Sequence, residues 1–185
     1  LQFAQMSTIY LRNTFGIEHP AIGLLNIGTE ETKGNELVKE SYKLLKEKSE
    51  ELGVNFIGNV EGRDAFSGKV DAIVTDGFTG NVFLKTTEGL GKFVKRTLTE
   101  SLTQNLISKI CTVPCLPAIN RFKKTMDYKS YGGALFLGVK KPVVKAHGSS
   151  DETLFEFTIK QAEKFVENKA VDRMIEEFEK KSGNA

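Results

Sequence analysis

Apolar residues recur along the chain at two spacings, one typical of helices and one typical of buried strands. Residues 2–15 have helical spacing and stop at Gly16, and a second amphipathic helix covers residues 36–52. Short uninterrupted apolar runs lie at 21–27, 54–57 and 71–75. Such runs are typical of strands covered on both faces. Their alternation with helices predicts an α/β fold with a mostly parallel sheet covered by helices on both faces.

The middle of the chain departs from this alternation. A long helix is predicted to start near Asn81, and its apolar side chains form one stripe: Leu90, Phe93, Val94, Leu98, Leu102, Leu106 and Ile110. An uncharged stretch, 110–119, follows, in which Pro114 and Pro117 end the helix. A shorter return helix is predicted through Ile119, Phe122 and Met126. We expect a helical hairpin over 90–126 that protrudes from a single α/β domain of residues 1–185. Its apolar tip would consist of Ile110, Val113, Leu116 and Ile119.

The last third returns to regular elements. The runs GALFLGV and PVVKA, separated by Lys140 and Lys141, predict an antiparallel pair of strands at an edge. HGSSDE then opens one final helix to about residue 180, with Ser149 and Glu152 at capping-box spacing.

Composition narrows the class of protein. The 185 residues are 39% hydrophobic and 27% charged, as in globular proteins, and no apolar run approaches the roughly 20 residues that span a bilayer. No signal peptide is evident, and Leu1 leads directly into a helix, so we expect a cytosolic enzyme whose upstream part is absent. Cys111 and Cys115 form neither a disulfide framework nor a zinc set and are expected to pack as small apolar residues. Neither a metal nor a cofactor is expected.

Charge is unevenly distributed. The net charge is +2, but residues 85–145 hold 12 Lys or Arg against three acidic residues, which leaves +9 in that stretch. A solvated face is the simpler interpretation of such a run. A basic segment also suits an acidic partner: phosphate, anionic lipid, nucleic acid or an acidic protein.

Four loops that follow apolar runs are rich in small polar residues: GTEETKGN, GNVEGRD, DGFTGN and HGSSD. In parallel α/β sheets such loops meet beyond the carboxyl ends of the strands, where helix starts favour an anion. Phosphate is the natural candidate. Lys33 could reach an anion held at the next helix, and Asn81 could donate to an oxyanion or cap its helix. Further candidates for substrate binding are Gly34, Asn35, Asn59, Arg63, Asp76, Gly80 and His147.

Several reaction types lack their sequence motif. We find no GxSxG elbow, no Walker A loop and no metal-ligand cluster, and the GLG at 89–91 falls within a helical pattern. A reaction that needs only positioning and oxyanion stabilisation would suit these loops. Phosphate is already an anionic nucleophile, so a strong general base is not obligatory.

Five stretches together resemble the bacterial phosphate acyltransferases of phospholipid synthesis, or acyl-acyl carrier protein:phosphate acyltransferases. They are GLLNIGTEETKGNEL, NFIGNVEGRD, DAIVTDGFTGNVFLKTTEGL, DYKSYGGALFLGV and KAHGSSD. The resemblance implies a fold like isocitrate and isopropylmalate dehydrogenases, a homodimer, and transfer of a long-chain acyl group from acyl carrier protein to phosphate. It also implies that Lys33 and Asn81 are functional and that nucleic acid is not a partner. The family's N-terminal half has no counterpart here.

Two other functions stay open. One is a short-chain phosphotransacetylase that uses acyl-coenzyme A, although such an enzyme has no need of an apolar tip. The other is a non-catalytic module that binds a membrane or a carrier protein. With the family function, an anionic membrane surface becomes a further expected partner, and the enzyme would be peripherally membrane-associated.

Overall fold

The computed structural model describes residues 1–125, 133–146, 148, 150–167 and 169–182. These residues form two compact units. The first comprises Leu1–Thr75 and Gly133–Ala185, and the second comprises Asp76–Gly132.

The helices in chain order are α1 (Gln2–Phe15), α2 (Glu36–Lys48), α3 (Gly77–Thr103), α4 (Leu106–Thr112), α5 (Leu116–Thr125), α6 (Glu152–Glu167) and α7 (Ala170–Ser182). The strands are β1 (Ala21–Asn26), β2 (Asn55–Glu61), β3 (Ala72–Val74), β4 (Ala134–Leu135) and β5 (Val144–Lys145). Short 3-10 turns lie at Asp64–Phe66 and Val113–Cys115.

A three-stranded parallel sheet in the order β2-β1-β3 organises the first unit. Helices α1 and α2 both contact it, so the prediction of an α/β fold with a parallel sheet and flanking helices is confirmed. The core joins Ile22 and Leu24 of β1 to Ala4 of α1, Leu45 of α2 and Val54. These side chains are 5% exposed or less, as expected for a central strand covered by helices.

A bulge in β2 sets the direction of its later side chains. Ile22 pairs with Phe56 and Gly23 pairs with Gly58, so Ile57 is an extra residue on the β2 side. Gly58 has a φ of 97°, a conformation that a residue with a Cβ rarely adopts. After the bulge Asn59 is buried although it is polar.

The remaining elements of the first unit partly match the sequence pattern. The antiparallel pairing of β4 with β5 is confirmed, but among the described residues the two strands form a sheet of their own, so their predicted place at an edge of the parallel sheet is wrong. The prediction of a single final helix is wrong, because α6 ends at Glu167 and α7 begins at Ala170. Lys169, between them, has a φ of 49°. Asp151 caps α6 by accepting a hydrogen bond from the Leu154 N–H at 2.9 Å. Ser149, the expected cap, lies outside the described residues.

The second unit is helical, and two of its boundaries differ from those expected. Helix α3 begins at Gly77, four residues before Asn81, because Asp76 accepts hydrogen bonds from the N–H groups of Phe78 and Thr79. The apolar stripe does not continue through one helix to Ile110. Instead α3 ends at Thr103, and Asn105 caps α4 by accepting from the Ser108 N–H at 2.8 Å.

The helical segments of the second unit contact one another without forming a buried core. Thr112 donates a hydrogen bond to the Leu102 carbonyl at 3.1 Å and so joins α4 to α3. No side chain described between residues 76 and 125 is buried. Cys111 and Cys115 are free and exposed. Met126 lies outside the described residues.

None of the helices in the described ranges is long and apolar enough to cross a membrane.

Two adjacent leucines of α2 test whether the sheet–helix core holds the first unit together. Leu45 is 1% exposed and Leu44 is 46% exposed. Leu45→Ala should lower the free energy of unfolding by about 2–5 kcal/mol, because it leaves a cavity against β1. Leu44→Ala, the matched control, should change it by about 0.5 kcal/mol. Urea unfolding followed by circular dichroism measures both, and equal effects would contradict this account of the core.

Candidate functional site

The carboxyl ends of the parallel strands bring two of the predicted loops to one edge of the sheet in the first unit. Asn26 at the end of β1 lies opposite Glu61 at the end of β2. The loop that carries Lys33 follows β1, and the turn that carries Arg63 follows β2. This edge is where parallel α/β sheets bind ligands.

Two asparagine side chains hold the loop between β1 and α2. The Asn26 amide donates to the Lys33 carbonyl at 3.1 Å, and the Asn26 side-chain oxygen accepts from the Ile27 N–H at 2.8 Å. The Asn59 amide donates to the Glu30 carbonyl at 2.9 Å, and Lys33 N–H donates to that same carbonyl. The backbone on either side of Lys33 is therefore fixed from β1 and from β2. We call this arrangement the asparagine clamp, formed by Asn26 and Asn59.

The second polar atom of Asn59 has a different environment. Asn59 is 7% exposed, and its Oδ1 is buried with no hydrogen-bond partner among the described residues. Burying an amide oxygen without a partner has a free-energy cost, so this atom is suited to accept a hydrogen bond from a water or a ligand. The sequence prediction that Asn59 belongs to the site is compatible with this placement.

Two glycines allow the loop to fold tightly over Lys33. A Cβ on Gly28 would lie 3.0 Å from Lys33 Cγ, so the lysine stem passes directly over that glycine. Gly34 has a φ of 92°, and a Cβ there would lie 2.8 Å from the Asn26 Oδ1. A side chain at either position would push on the lysine or on the clamp. Gly34 was a candidate from sequence, and Gly28 is added by the structure.

A carboxylate ties the same loop to α2. Glu31 accepts a hydrogen bond from the Lys46 ammonium at 2.5 Å and one from the Tyr42 hydroxyl at 3.1 Å. The hydrogen bond from Lys46 first, and that from Tyr42 second, hold the pKa of Glu31 below its ordinary value. The pKa of Lys46 is raised by the same hydrogen bond. Burial first, and the Glu31 carboxylate second, raise the pKa of Tyr42.

Asn35 and Arg63 have partners within the protein. Asn35 caps α2, its side chain accepting from the Val38 N–H at 3.0 Å. The Arg63 guanidinium lies 2.6 Å from Glu61 and 3.7 Å from Asp64, and its side chain is 78% exposed. Lys33 is exposed at the start of α2, where the helix favours negative charge. Because Arg63 is paired with two carboxylates, Lys33 is better placed than Arg63 to bind an anion.

The remaining candidates belong to the second unit. The Asp76 carboxylate caps α3. Hydrogen bonds from the Thr79 side chain and backbone, and then from the Phe78 N–H, lower the pKa of Asp76. Gly80 N–H donates to the Asp76 carbonyl in the first turn. Asn81 is exposed inside the helix, so its alternative role as a cap is excluded. His147 lies outside the described residues.

The structure thus brings together Lys33, Gly34, Asn35 and Asn59 around one loop, whereas Asp76, Gly80 and Asn81 share the start of a helix in the other unit. Sequence reasoning missed Asn26, Gly28, Glu31 and Tyr42. Asn26 is the last residue of a buried strand, a position where a polar side chain could have been noticed. Nothing in the sequence signals that Glu31 pairs with Lys46, fifteen residues away.

Comparison with known proteins decides the family. The family described as fatty acid synthesis protein matches residues 1–173. The chain belongs to this family. It is 47% identical over 182 residues to a phosphate acyltransferase of Clostridium perfringens, covering 98% of this chain and 53% of that protein. Phosphate acyltransferases of Thermoanaerobacter pseudethanolicus and Bacillus pumilus are 45% and 44% identical, covering 97% and 100% of this chain and 53% and 54% of theirs. The chain spans about half the length of these curated relatives.

For this family member, the geometry of the loop suits an anionic ligand. It combines an exposed ammonium with the start of a helix. Within the described ranges, no group of three His, Cys, Asp or Glu side chains could hold a metal ion.

The anchor between Glu31 and α2 predicts a measurable pKa. Because the ionised carboxylate binds Lys46 and Tyr42, the anchor is present above the ordinary value of 4.5 and is lost as pH falls through the lowered pKa. Nuclear magnetic resonance titration should therefore place the Glu31 pKa below 4.5, and Lys46→Met should raise it.

Lys39→Met is the matched control for this titration, since it removes the partner of Glu36 on the same helix and should leave Glu31 unchanged. A wild-type Glu31 that titrates at 4.5 or higher would contradict the anchor.

Proposed function

We propose that this chain is the part of a phosphate acyltransferase that carries Lys33 and Asn81, and that the enzyme makes acyl phosphate for phospholipid synthesis. The observation that carries the proposal is the loop at Lys33, fixed by the asparagine clamp at the start of α2. The similarity to phosphate acyltransferases supports the reaction class.

The proposed reaction is a direct acyl transfer. A phosphate oxygen attacks the thioester carbonyl carbon and forms a tetrahedral intermediate. Its collapse breaks the carbon–sulfur bond, expels the thiolate and leaves the acyl group on phosphate, with no covalent enzyme intermediate. Lys33 would hold the phosphate and Asn81 would donate a hydrogen bond to the developing oxyanion. The clamp would fix the backbone from which the Lys33 side chain extends.

The finer architecture is part of the same proposal. We assign the parallel sheet to the isocitrate and isopropylmalate dehydrogenase-like fold, in which such loops contribute to one cleft. The order β2-β1-β3 with parallel pairing is compatible with that assignment. Gly34, Asn35, Asn59, Arg63, Asp76, Gly80 and His147 remain proposed as substrate-binding residues.

Acyl carrier protein is the proposed acyl donor. An acidic carrier suits the basic stretch from 85 to 145, in which Lys92, Lys95, Arg96 and Arg121 are exposed. Arg96 also lies 5.8 Å from the centre of the Phe93 ring. A short-chain enzyme that uses acyl-coenzyme A is the alternative, and a non-catalytic binding module is the second.

One assay distinguishes the three functions. The chain is incubated with phosphate and either acyl-acyl carrier protein or short-chain acyl-coenzyme A, alone and with the complementary half of a relative, and acyl phosphate is trapped with hydroxylamine. Lys33→Ala and Asn81→Ala should each lower turnover about 10²–10³-fold, as loss of one such donor does. Lys43→Ala, on the exposed face of α2, is the control.

Wild-type turnover in a folded Lys33→Ala variant would refute its catalytic assignment. Product from acyl-coenzyme A alone would favour the short-chain enzyme, and absence of product in every mixture would favour the binding module.

The second unit is proposed to form the homodimer interface. Leu90, Phe93 and Leu106 are 60%, 55% and 73% exposed, and the described residues of this unit include no buried side chain. Two such hairpins paired about a two-fold axis as a four-helix bundle would cover the stripe.

The end of the hairpin is proposed to enter a membrane interface. Ile110, Val113 and Leu116 are 62%, 60% and 45% exposed, whereas Ile119 is half-buried and lines a groove with Leu98 and Leu102. Lys109 and Arg121 flank them and are exposed. Basic neighbours contribute about 1 kcal/mol each near anionic lipid. The enzyme would then work in the cytoplasm with peripheral attachment to the membrane.

Substitution at the tip tests this attachment. Val113→Asp with Leu116→Asp should release the protein from vesicles of anionic phospholipid, because two carboxylates would have to enter the interface. Leu37→Asp with Leu44→Asp makes the same kind of change at exposed apolar positions of α2, in the first unit, and should leave flotation unchanged. Light scattering checks that both variants keep the wild-type oligomeric state. Equal flotation of the tip variant and the wild type would refute membrane contact through these residues.

A further inference from the structure

The two cysteines of the chain lie close together between α4 and α5 in the second unit. Cys111 belongs to the last turn of α4, and Cys115 ends the 3-10 turn that follows. Thr112 and Val113, between them, keep right-handed helical backbone angles, so the two cysteines are about one helical turn apart. Both thiols are free and exposed. This short segment therefore presents two nucleophilic side chains to solvent.

The surroundings of the two thiols are apolar and cationic. Three apolar side chains flank them and are 45–62% exposed: Ile110, Val113 and Leu116. Lys109 and Arg121 are exposed as well, and the sequence contains no acidic residue from position 101 to position 126. Such a surface favours a reagent that carries both a long apolar chain and a negative charge.

Cysteines in amphipathic segments at a membrane surface are common sites of S-acylation. A single acyl chain gives only marginal, reversible membrane binding, and stable attachment takes a second signal, such as a basic patch. At this segment the exposed apolar side chains and the cations would supply that second signal. An acyl chain on either sulfur would extend from the same surface.

We propose that Cys111 and Cys115 are S-acylation sites that accept a long-chain acyl group from an activated donor. The inference rests on the proposed function, because the acyl phosphate product and the thioester substrate are both donors of this kind. The thiol loses its proton to solvent, and the sulfur attacks the carbonyl carbon of the acyl phosphate. The bond from that carbon to the phosphate oxygen breaks, and phosphate leaves with the electron pair. A thioester donor reacts in the same way and releases its own thiol.

The chemistry of the side chains selects cysteine over its neighbours. A cysteine is partly ionised near neutral pH, and its sulfur is strongly nucleophilic, whereas a hydroxyl is a weak nucleophile unless a base activates it. A protonated ammonium has no free electron pair with which to attack a carbonyl carbon. The acyl group should therefore be found on sulfur, as a thioester.

The test treats this chain with synthetic palmitoyl phosphate, or with palmitoyl-coenzyme A, in the presence of phosphatidylglycerol vesicles. Mass spectrometry should show one or two palmitoyl groups on Cys111 and Cys115, and neutral hydroxylamine should remove them. Cys111→Ser with Cys115→Ser should lower palmitoyl incorporation about tenfold or more, because a hydroxyl is the weaker nucleophile. The acylated chain should float with the vesicles to a greater extent than the unmodified chain.

A cysteine placed elsewhere is the matched control. Lys43→Cys, added to the double serine variant, puts one exposed thiol on α2 in the first unit. Its neighbours on the helix, at positions 39, 40, 46 and 47, are all charged. This thiol should incorporate about tenfold less palmitate than the wild type, because no apolar surface binds the donor beside it. Circular dichroism confirms that each variant is folded.

Two results would overturn the proposal. One is the absence of palmitate from both cysteines with either donor, and the other is equal incorporation by the Lys43→Cys control, which would show that any exposed thiol reacts. Incorporation from one donor alone would support the proposal and identify the acyl source.

The donors are synthetic, so the outcome does not depend on turnover by the enzyme. Acylated cysteines in a protein that forms no acyl phosphate would refute the proposed reaction alone. Formation of acyl phosphate by a protein whose cysteines stay unmodified would refute S-acylation alone.

Discussion

The close packing of β1 between its neighbours is the constraint on which the first unit depends. Ile22 and Leu24 are buried, and Gly23 leaves no room for a side chain, since a Cβ there would lie 2.3 Å from Val60 Cγ2. With β1 fixed at van der Waals contact, the position of its last residue, Asn26, is fixed as well. The loop that follows inherits this precision because Asn26 holds the Lys33 carbonyl. The position of the Lys33 backbone thus depends on the packing of the core.

The position of that loop depends on hydrogen bonds from polar groups of the neighbouring strand and helix. Asn59 becomes a clamp residue because the bulge at Ile57 changes which side chains of β2 face inward. Its amide nitrogen is then satisfied by the Glu30 carbonyl and its oxygen is left without a partner. Glu31 anchors the outer side of the loop to α2 through exposed groups, where an ion pair contributes little stability. The hydrogen bond from Asn59, which is buried, is less open to competition from water than this exposed ion pair.

The sequence predicted the parallel sheet, the antiparallel pairing of β4 with β5 and the loop of Lys33, because each depends on a local pattern of apolar runs and small residues. The sequence patterns failed to predict helix boundaries that depend on a single capping side chain. Asp76, rather than the expected Asn81, starts α3 because its carboxylate accepts two backbone hydrogen bonds. The apolar periodicity continues from α3 into α4, so it does not reveal that the helix is interrupted. The interruption depends on Asn105, whose side chain caps α4. The bulge that buries Asn59 and the pairing of Glu31 with Lys46 depend on contacts between distant residues, which hydrophobic periodicity does not encode.

Among the described residues, the buried side chains all belong to the first unit, and this distribution bears on how the chain is stabilised. The described residues of the second unit include no buried side chain, and in the first unit α6 has a full apolar stripe in solvent. Ordering each residue costs about 1–2 kcal/mol of backbone entropy, which only burial of apolar surface can offset on this scale. Because their own burial of apolar surface is small, these segments contribute little to the free energy of unfolding of the chain.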